Sequence, residues 1–460
     1  MGIGIESIST YLPAYRLDRK EVFKAVGWVG SNYLPGERTA ANYDEDSITM
    51  AVAAAMGCTK DVDALFFAST TMPYKERQNA SIIATALDLG SNVTTADFTG
   101  STKAVTTALI SACNYVKSGN KVLVCASDCR LGKAGGLQEI AFGDGGAAAV
   151  VGEDKLASID DSFSLSYDFM DNWRIDEARY DKAWEDRWVR DEGYKKFIGE
   201  SISKLIEKNN LKTENIARVC YPCLYLRDHP KIGLSLGFNE NQIQEHLFTA
   251  LGNTGNAYPL ILLAASLEST TEGDRIIAAS YGSGSDALLL TARTRYPSEK
   301  VNKKGMPYEK YAAYRNLIPI ELGQRGEGIA PTAVSLLWRD RKEIMALVGS
   351  KCKKCGTPQY PAQRVCVACG SQDMEPYSFA DKTGKVFSYT EDHLAASMSP
   401  PAIYGIIEFD GGGRFWFDVA DCEAGELRVE MPVKMAFRRK YADAERGIYG
   451  YFWKAIPEVT

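Results

Sequence analysis

The chain has 460 residues, 45% hydrophobic and 24% charged, with a formal net charge of -6. That length calls for two to four domains, and the composition is that of a globular rather than a disordered protein. The acidic balance excludes the electrostatic footprint of a nucleic-acid binder, and no run of about 18 apolar residues offers a membrane-spanning helix.

The N-terminal stretch MGIGIESIST has neither the basic start nor the apolar core of a secretory signal. Glu6 stands where a myristoylation site needs Ser or Thr. Together with clustered cysteines near the C-terminus, these features lead to the expectation of a cytoplasmic protein.

Over the first 300 residues, short β-rich runs alternate with helical ones. The strand candidates are Ala64–Ala68, Val93–Phe98, Lys121–Ala126 and Ala147–Val151. In Thr102–Ser118, Val105, Leu109, Cys113 and Val116 recur at helical spacing, and Gly119 follows as a stop. Such alternation predicts a layered α/β fold with largely parallel strands. FGDGGAAAVVG at 142–152 and YGSGSDALLLTA at 281–292 echo one another, each a Gly-rich turn feeding an apolar strand, as a duplicated unit would. Between them, Asp168–Arg190 is rich in Trp, Arg and Asp and reads as an exposed helical excursion. Residues 297–345 lose the alternation and read as a connecting arm. Beyond Cys369, the runs Val386–Thr390, Ala402–Phe409, Arg414–Val419 and Val433–Arg438 predict a small β-barrel of the OB type over 377–460.

Cys352-x2-Cys355-x10-Cys366-x2-Cys369 is the strongest local signal. Each pair can form a knuckle with two thiolates on one ion, and Gly356 and Gly370 follow where the turn must release. Four thiolates suit tetrahedral Zn(II), and a closed shell makes the site structural, a zinc ribbon over 346–376. Iron at the same thiolates and simple core packing are the alternatives. Cys220-x-x-Cys223 has no second pair, so a packing or active-site role is preferred over redox chemistry.

YGSGSDA at 281–287, LGNTGNAYP at 251–259 and Asp171-Asn172-Trp173 resemble 3-hydroxy-3-methylglutaryl-CoA synthases of the archaeal type, members of the thiolase superfamily. The resemblance spans roughly residues 1–295. It implies a duplicated five-layer αβαβα core with halves at 1–165 and 166–296, an acyl-CoA thioester as substrate, and a homodimer joined through that core. No nucleic acid and no membrane are expected as partners. The C-terminal part resembles zinc-ribbon/OB-fold proteins that accompany thiolase-like enzymes as separate subunits.

The family's reacting groups are replaced. Its nucleophilic Cys at a strand-to-helix junction matches Thr102 in Asp97-Phe98-Thr99-Gly100-Ser101-Thr102, with Ser101 beside it. An alcohol there needs a base to become a nucleophile, and Ser or Thr before a helix is also the preferred N-cap. The general-base His matches Cys220, and the acidic Glu matches Thr70 in Ser69-Thr70-Thr71-Met72-Pro73-Tyr74. Asn253 is retained, and its amide can hold a thioester oxygen where negative charge develops. Among the three histidines, His229, His246 and His393, only His229 follows closely on Cys220. It reads either as a replacement acid or base or as an exposed loop residue. Tyr74, Tyr225 and Tyr258 are candidate proton donors whose default role is packing. Three functions are consistent with this pattern. They are aldol or retro-aldol chemistry without an acyl-enzyme, Claisen-type acyl transfer through Ser101 or Thr102, and a non-catalytic scaffold that binds CoA esters.

Overall fold

The computed structural model describes residues 2–27, 34–116, 119–297, 302–322 and 331–458. The chain divides into two compact units. The first comprises Met1–Ala41, Asp46–Ala84 and Leu89–Tyr311, and the second Asn42–Glu45, Thr85–Asp88 and Ala312–Thr460.

The first unit is built on nine strands: β1 (Ile3–Tyr11), β2 (Ala64–Ala68), β3 (Thr94–Phe98), β4 (Val122–Asp128), β5 (Gly145–Glu153), β6 (Ala157–Ser166), β7 (Arg218–Cys220), β8 (Arg275–Ala279) and β9 (Gly284–Ala292). They form one sheet in the order β7-β8-β9-β6-β1-β5-β4-β2-β3. Strand β2 runs parallel to its neighbours β3 and β4, and β7 parallel to β8, but the other five pairings are antiparallel, so the sheet is mixed and not largely parallel as the alternation suggested. The two Gly-rich echoes occupy equivalent places: β4 turns back antiparallel into β5, and β8 turns back antiparallel into β9. The internal repeat is therefore real in three dimensions.

Four helices sort by composition. α1 (Ser47–Ala55) packs against β1, β4 and β5, and α3 (Lys195–Lys208) packs against β6, β8 and β9. α2 (Ala104–Val116) and α4 (Ala257–Glu268) pack on each other and on strands of both halves. In α4 ten of twelve residues are buried, including Leu260, Ile261, Leu262, Leu263 and Leu267. A helix apolar on every side has no face to show to water, so it becomes the central layer. Each such leucine contributes about 1.5–3 kcal/mol by burial.

The excursion at 168–190 departs from expectation. It holds two-residue strands at Asn172–Trp173 and Lys182–Ala183, and helix begins only at Asp186–Trp188 before a π-helical turn at Val189–Tyr194. Its charged residues lack an apolar stripe, and they bond to neighbouring loops instead of lining a helix. The expected arm at 297–345 likewise contains order, with helices at Tyr308–Tyr314, Val334–Arg339 and Arg341–Ala346. Residues 298–301 and 323–330 of that arm, and 117–118 of the expected helix, lie outside the described residues.

In the second unit a three-stranded sheet joins Val348–Cys352 to Pro358–Gln359 and Met374–Ser378. A five-stranded sheet follows, with strands Thr383–Asp392, Ala402–Phe409, Arg414–Asp418, Pro432–Asp443 and Ile448–Pro457. The last of these was not anticipated from sequence. Ala402–Phe409 alternates half-buried and buried residues, as expected of a strand with one face in a core.

A cluster of buried charge lies within this unit. Arg438, 2% exposed, is 2.6 Å from both Glu45 and Asp421, and Lys454 is 2.8 Å from Asp44. Removing one member of such a network leaves uncompensated charge in the interior, at about 3–5 kcal/mol. Arg438→Ala is accordingly expected to destabilise the second unit by that amount, read as a lower denaturant midpoint for the transition that contains it.

Candidate active site and metal centre

The site residues come from loops at strand ends. β2 ends at Ala68 and leads into Ser69-Thr70-Thr71; β4 ends at Asp128; β3 leads through Ser101 and Thr102 into α2. Asn253 to Asn256 lead into α4. What gathers them is Asp128, which is fully buried. Its Oδ1 accepts hydrogen bonds from Ser69 Oγ (3.0 Å), Thr70 N (2.6 Å), Thr70 Oγ1 (2.9 Å) and Thr71 Oγ1 (3.3 Å). Its Oδ2 accepts from Asn256 N (2.7 Å) and Asn256 Nδ2 (3.0 Å). Asn256 Nδ2 also reaches Ser101 O at 3.2 Å, and Asn256 Oδ1 accepts from Val105 N at 3.1 Å. Arg130, two residues on, donates to Asn253 O at 3.0 Å. Burial lowers the pKa of its guanidinium, whose carbon lies 3.9 Å from the Phe142 ring centroid. Arg174 donates to Thr70 O and pairs with Asp181 at 2.8 Å. Burial raises the Asp181 carboxyl above its usual range against the pull of Arg130 and Arg174.

Thr70, Ser101 and Asn253 are thus held in one bonded constellation. Thr102 joins it from the other side. Its Oγ1 donates to Tyr281 O at 2.7 Å, and Ser101 Oγ donates to Gly282 O at 2.8 Å. Ser101 Oγ also accepts from Lys103 N at 3.2 Å, the local bond of a helix start. Gly282 has φ 154°, and a Cβ there would fall 2.5 Å from Ser101 Oγ and 2.6 Å from Thr102 Oγ1. Glycine is therefore required for the Gly-rich turn to dock on the two hydroxyls.

Cys220 and His229 are both buried. Cys220 ends β7 at 2% exposure inside the main core, and burial pushes its thiol up to about 12. Cys223 is likewise buried and pushed to about 12. For this Cys-x-x-Cys pair, packing is what the structure records. His229 is no exposed loop residue: it begins the helix His229–Ser235 at 3% exposure. Its Nδ1 is 3.5 Å from the Tyr194 hydroxyl and its ring is 4.5 Å from that of Tyr221 and 5.6 Å from that of His246. Tyr258 donates to His246 O, and Tyr225 donates to Asp186 O at 3.2 Å. Burial raises both phenols above their ordinary range. The Tyr74 ring carries Arg77 at 4.6 Å. Sequence reasoning missed Asp128, Arg130, Arg174 and Asn256. The one available signal was Asn256 itself, three residues after Asn253 in the same Gly-rich stretch.

The metal centre is formed by two matching knuckles. Gly356 N bonds to Cys352 O and Cys352 N to Thr357 O; Gly370 N bonds to Cys366 O and Cys366 N to Ser371 O. Gly356 and Gly370 have φ 77° and 72°. Cys352 Sγ is 3.6 Å from Cys369 Sγ, and Cys355 Sγ is 3.4 Å from Cys366 Sγ, with all four ligand atoms within 4.8 Å of one another. Tetrahedral sulfurs each about 2.3 Å from zinc stand about 3.8 Å apart, so the donor set fits.

Comparison with known proteins places this geometry. Solved structures of HMG-CoA synthase complexed with CoA (TM-score 0.62, 18% identical, covering 72% of this chain and 95% of that one) and of 3-oxoacyl-(acyl carrier protein) synthase III from Pseudomonas aeruginosa (TM-score 0.58, 15% identical, 65% and 100%) share the fold. The first unit is thus a thiolase-type α/β fold. Hydroxymethylglutaryl-CoA synthases of Methanococcus vannielii and Methanosarcina barkeri are each 30% identical to it, covering 69% and 68% of this chain and 99% and 97% of theirs. The chain belongs to the hydroxymethylglutaryl-CoA synthase family. Residues 346–375 match the model of the ChsH2 rubredoxin-like zinc ribbon domain, and residues 377–438 that of the ChsH2 C-terminal OB-fold domain. No helix among the described residues is long and apolar enough to cross a membrane.

Two expectations follow. Elemental analysis of the purified protein should give about one zinc per chain, and Cys366→Ser should abolish it together with the protease resistance of residues 346–378. The second concerns pH. Burial, with a smaller contribution from His246, lowers the His229 pKa from 6.5 to about 4. The folded imidazole thus refuses a proton that the unfolded one accepts, so stability falls as pH drops from about 6.5 to 4, by roughly 3 kcal/mol. His229→Gln should flatten that part of the stability profile measured by denaturant titration across this range.

Proposed function

We propose that this protein makes or breaks a carbon–carbon bond in an acyl-CoA thioester by aldol chemistry, without an acyl-enzyme. The observation that carries this reading is the fate of the two hydroxyls at the head of α2. Ser101 and Thr102 direct their protons to the carbonyls of Gly282 and Tyr281. A hydroxyl bound to a carbonyl instead of a basic side chain has no acceptor for its proton and is a poor nucleophile. Cys220, matched to the family's base, is a buried thiol in the core.

Aldol cleavage forms no bond to Ser101 or Thr102. The β-hydroxyl passes its proton to solvent water, its electron pair forms a carbonyl, and the Cα–Cβ bond breaks to leave the thioester enolate, which takes a proton back from water at Cα. The developing charge on the thioester oxygen needs a fixed donor. Asn253, 8% exposed, has its Oδ1 occupied by Gly255 N at 3.0 Å, which leaves its amide N–H groups to serve as that donor.

A second reading, Claisen-type condensation through Ser101 or Thr102, is favoured by the similarity to hydroxymethylglutaryl-CoA synthases. Intact-mass measurement separates the two. After incubation with acetyl-CoA and acetoacetyl-CoA, no acyl adduct is expected, whereas a panel of β-hydroxyacyl-CoAs should include one cleaved to a shorter acyl-CoA and a carbonyl compound. Asn253→Ala should lower kcat for that cleavage by about 10²–10³. A stoichiometric acyl group on Ser101 or Thr102 would overturn the aldol assignment in favour of condensation.

A further inference from the structure

We propose that the Asp128–Thr70 pair sets the polarity of the site so that it selects a hydroxyl, not a ketone, at the β-carbon of the acyl group. This rests on the reading of the substrate as a CoA thioester.

Thr70 has two hydrogen-bond donors, its backbone N–H and its hydroxyl, and both are directed to Asp128 Oδ1, at 2.6 Å and 2.9 Å. Its carbonyl is taken by Arg174. What remains at the half-buried Thr70 side chain is the lone pairs of Oγ1, an acceptor. Asn253 is the reverse case. Its Oδ1 accepts from Gly255 N, so its amide nitrogen is the free end, and among the described residues Nδ2 makes no hydrogen bond. The same β4 extension fixes both residues: Asp128 holds Thr70, and Arg130 holds the Asn253 carbonyl. One constellation therefore offers a fixed donor at residue 253 and a fixed acceptor at residue 70.

A 3-hydroxyacyl thioester complements that pattern, with its carbonyl oxygen on Asn253 and its hydroxyl donating to Thr70. A 3-oxoacyl thioester has an acceptor at both positions, and its ketone oxygen would face the lone pairs of Thr70 Oγ1. Thr70 cannot rotate its proton outward without leaving a lone pair against the buried carboxylate. Asp128 is equally constrained, because Ser69, Thr71 and Asn256 also converge on it. It acts through Thr70 and is a positioning residue.

The test uses the full chain and three CoA esters of equal length, butyryl-CoA, 3-hydroxybutyryl-CoA and acetoacetyl-CoA, with affinities measured by calorimetry. The wild-type protein is expected to bind the 3-hydroxy ester about ten-fold tighter than the 3-oxo ester, the value of one hydrogen bond gained against one acceptor clash. Thr70→Ser should keep that ratio. Thr70→Val should bring it to about one while leaving butyryl-CoA affinity within two-fold. A merely structural role for the pair would weaken all three esters alike. Equal affinity for the two oxygenated esters in the wild type, or an unchanged ratio in Thr70→Val, overturns the proposal while butyryl-CoA binding leaves the CoA-ester reading intact. Failure of all three esters to bind sinks both.

Discussion

Six hydrogen-bond donors from two separate loops converge on one buried carboxylate at the end of a central strand, and the organisation of the site depends on that convergence. A carboxylate in the interior is tolerated only when its lone pairs are satisfied. Asp128 meets that condition by drawing Ser69, Thr70 and Thr71 from one side and Asn256 from the other. The loops after β2 and before α4 are tied to each other through it, and Ser101 is tied in turn through Asn256. Loops that would otherwise explore many conformations are held in one, which is the preorganisation that electrostatic stabilisation of a reacting oxygen requires.

The same logic applies to Ser101 and Thr102, whose hydroxyls find strong acceptors in the carbonyls of Gly282 and Tyr281, within reach because Gly282 has no side chain to hold them off. Within that network Thr70 Oγ1 keeps free lone pairs, and Asn253 Nδ2 makes no hydrogen bond among the described residues. Those are the atoms on which the aldol reading draws. The zinc-binding segment serves a different need. A stretch of about 30 residues cannot bury enough apolar surface to hold itself together, and four thiolates on one ion supply the missing constraint.

Much of the fold was legible from local pattern. Period-two and fully apolar runs marked β2 to β5, helical spacing marked α2, and the two Gly-rich turns disclosed the duplication. The cysteine spacing marked the metal site because its ligands lie close in sequence, so that each pair forms a knuckle on its own. The excursion at 168–190 was misread because charge and tryptophan content say little about helix when no apolar stripe accompanies them. The final barrel strand was missed for a related reason, since Ile448–Pro457 mixes aromatic, basic and small residues that take their places only beside a partner strand.

The sequence by itself determined the α/β layering, the internal repeat and the zinc ribbon, since each is encoded in residues near one another along the chain. Only the tertiary structure decided which of the candidate site residues are bonded to one another: Cys220 and His229 are buried, while an aspartate with no motif around it is the centre of the network that holds Thr70. The physical reason is that hydrogen-bond partners here lie tens to more than a hundred residues apart, 58 between Thr70 and Asp128 and 128 between Asp128 and Asn256. Local pattern specifies what each element is; long-range satisfaction of buried polar groups specifies which elements must meet.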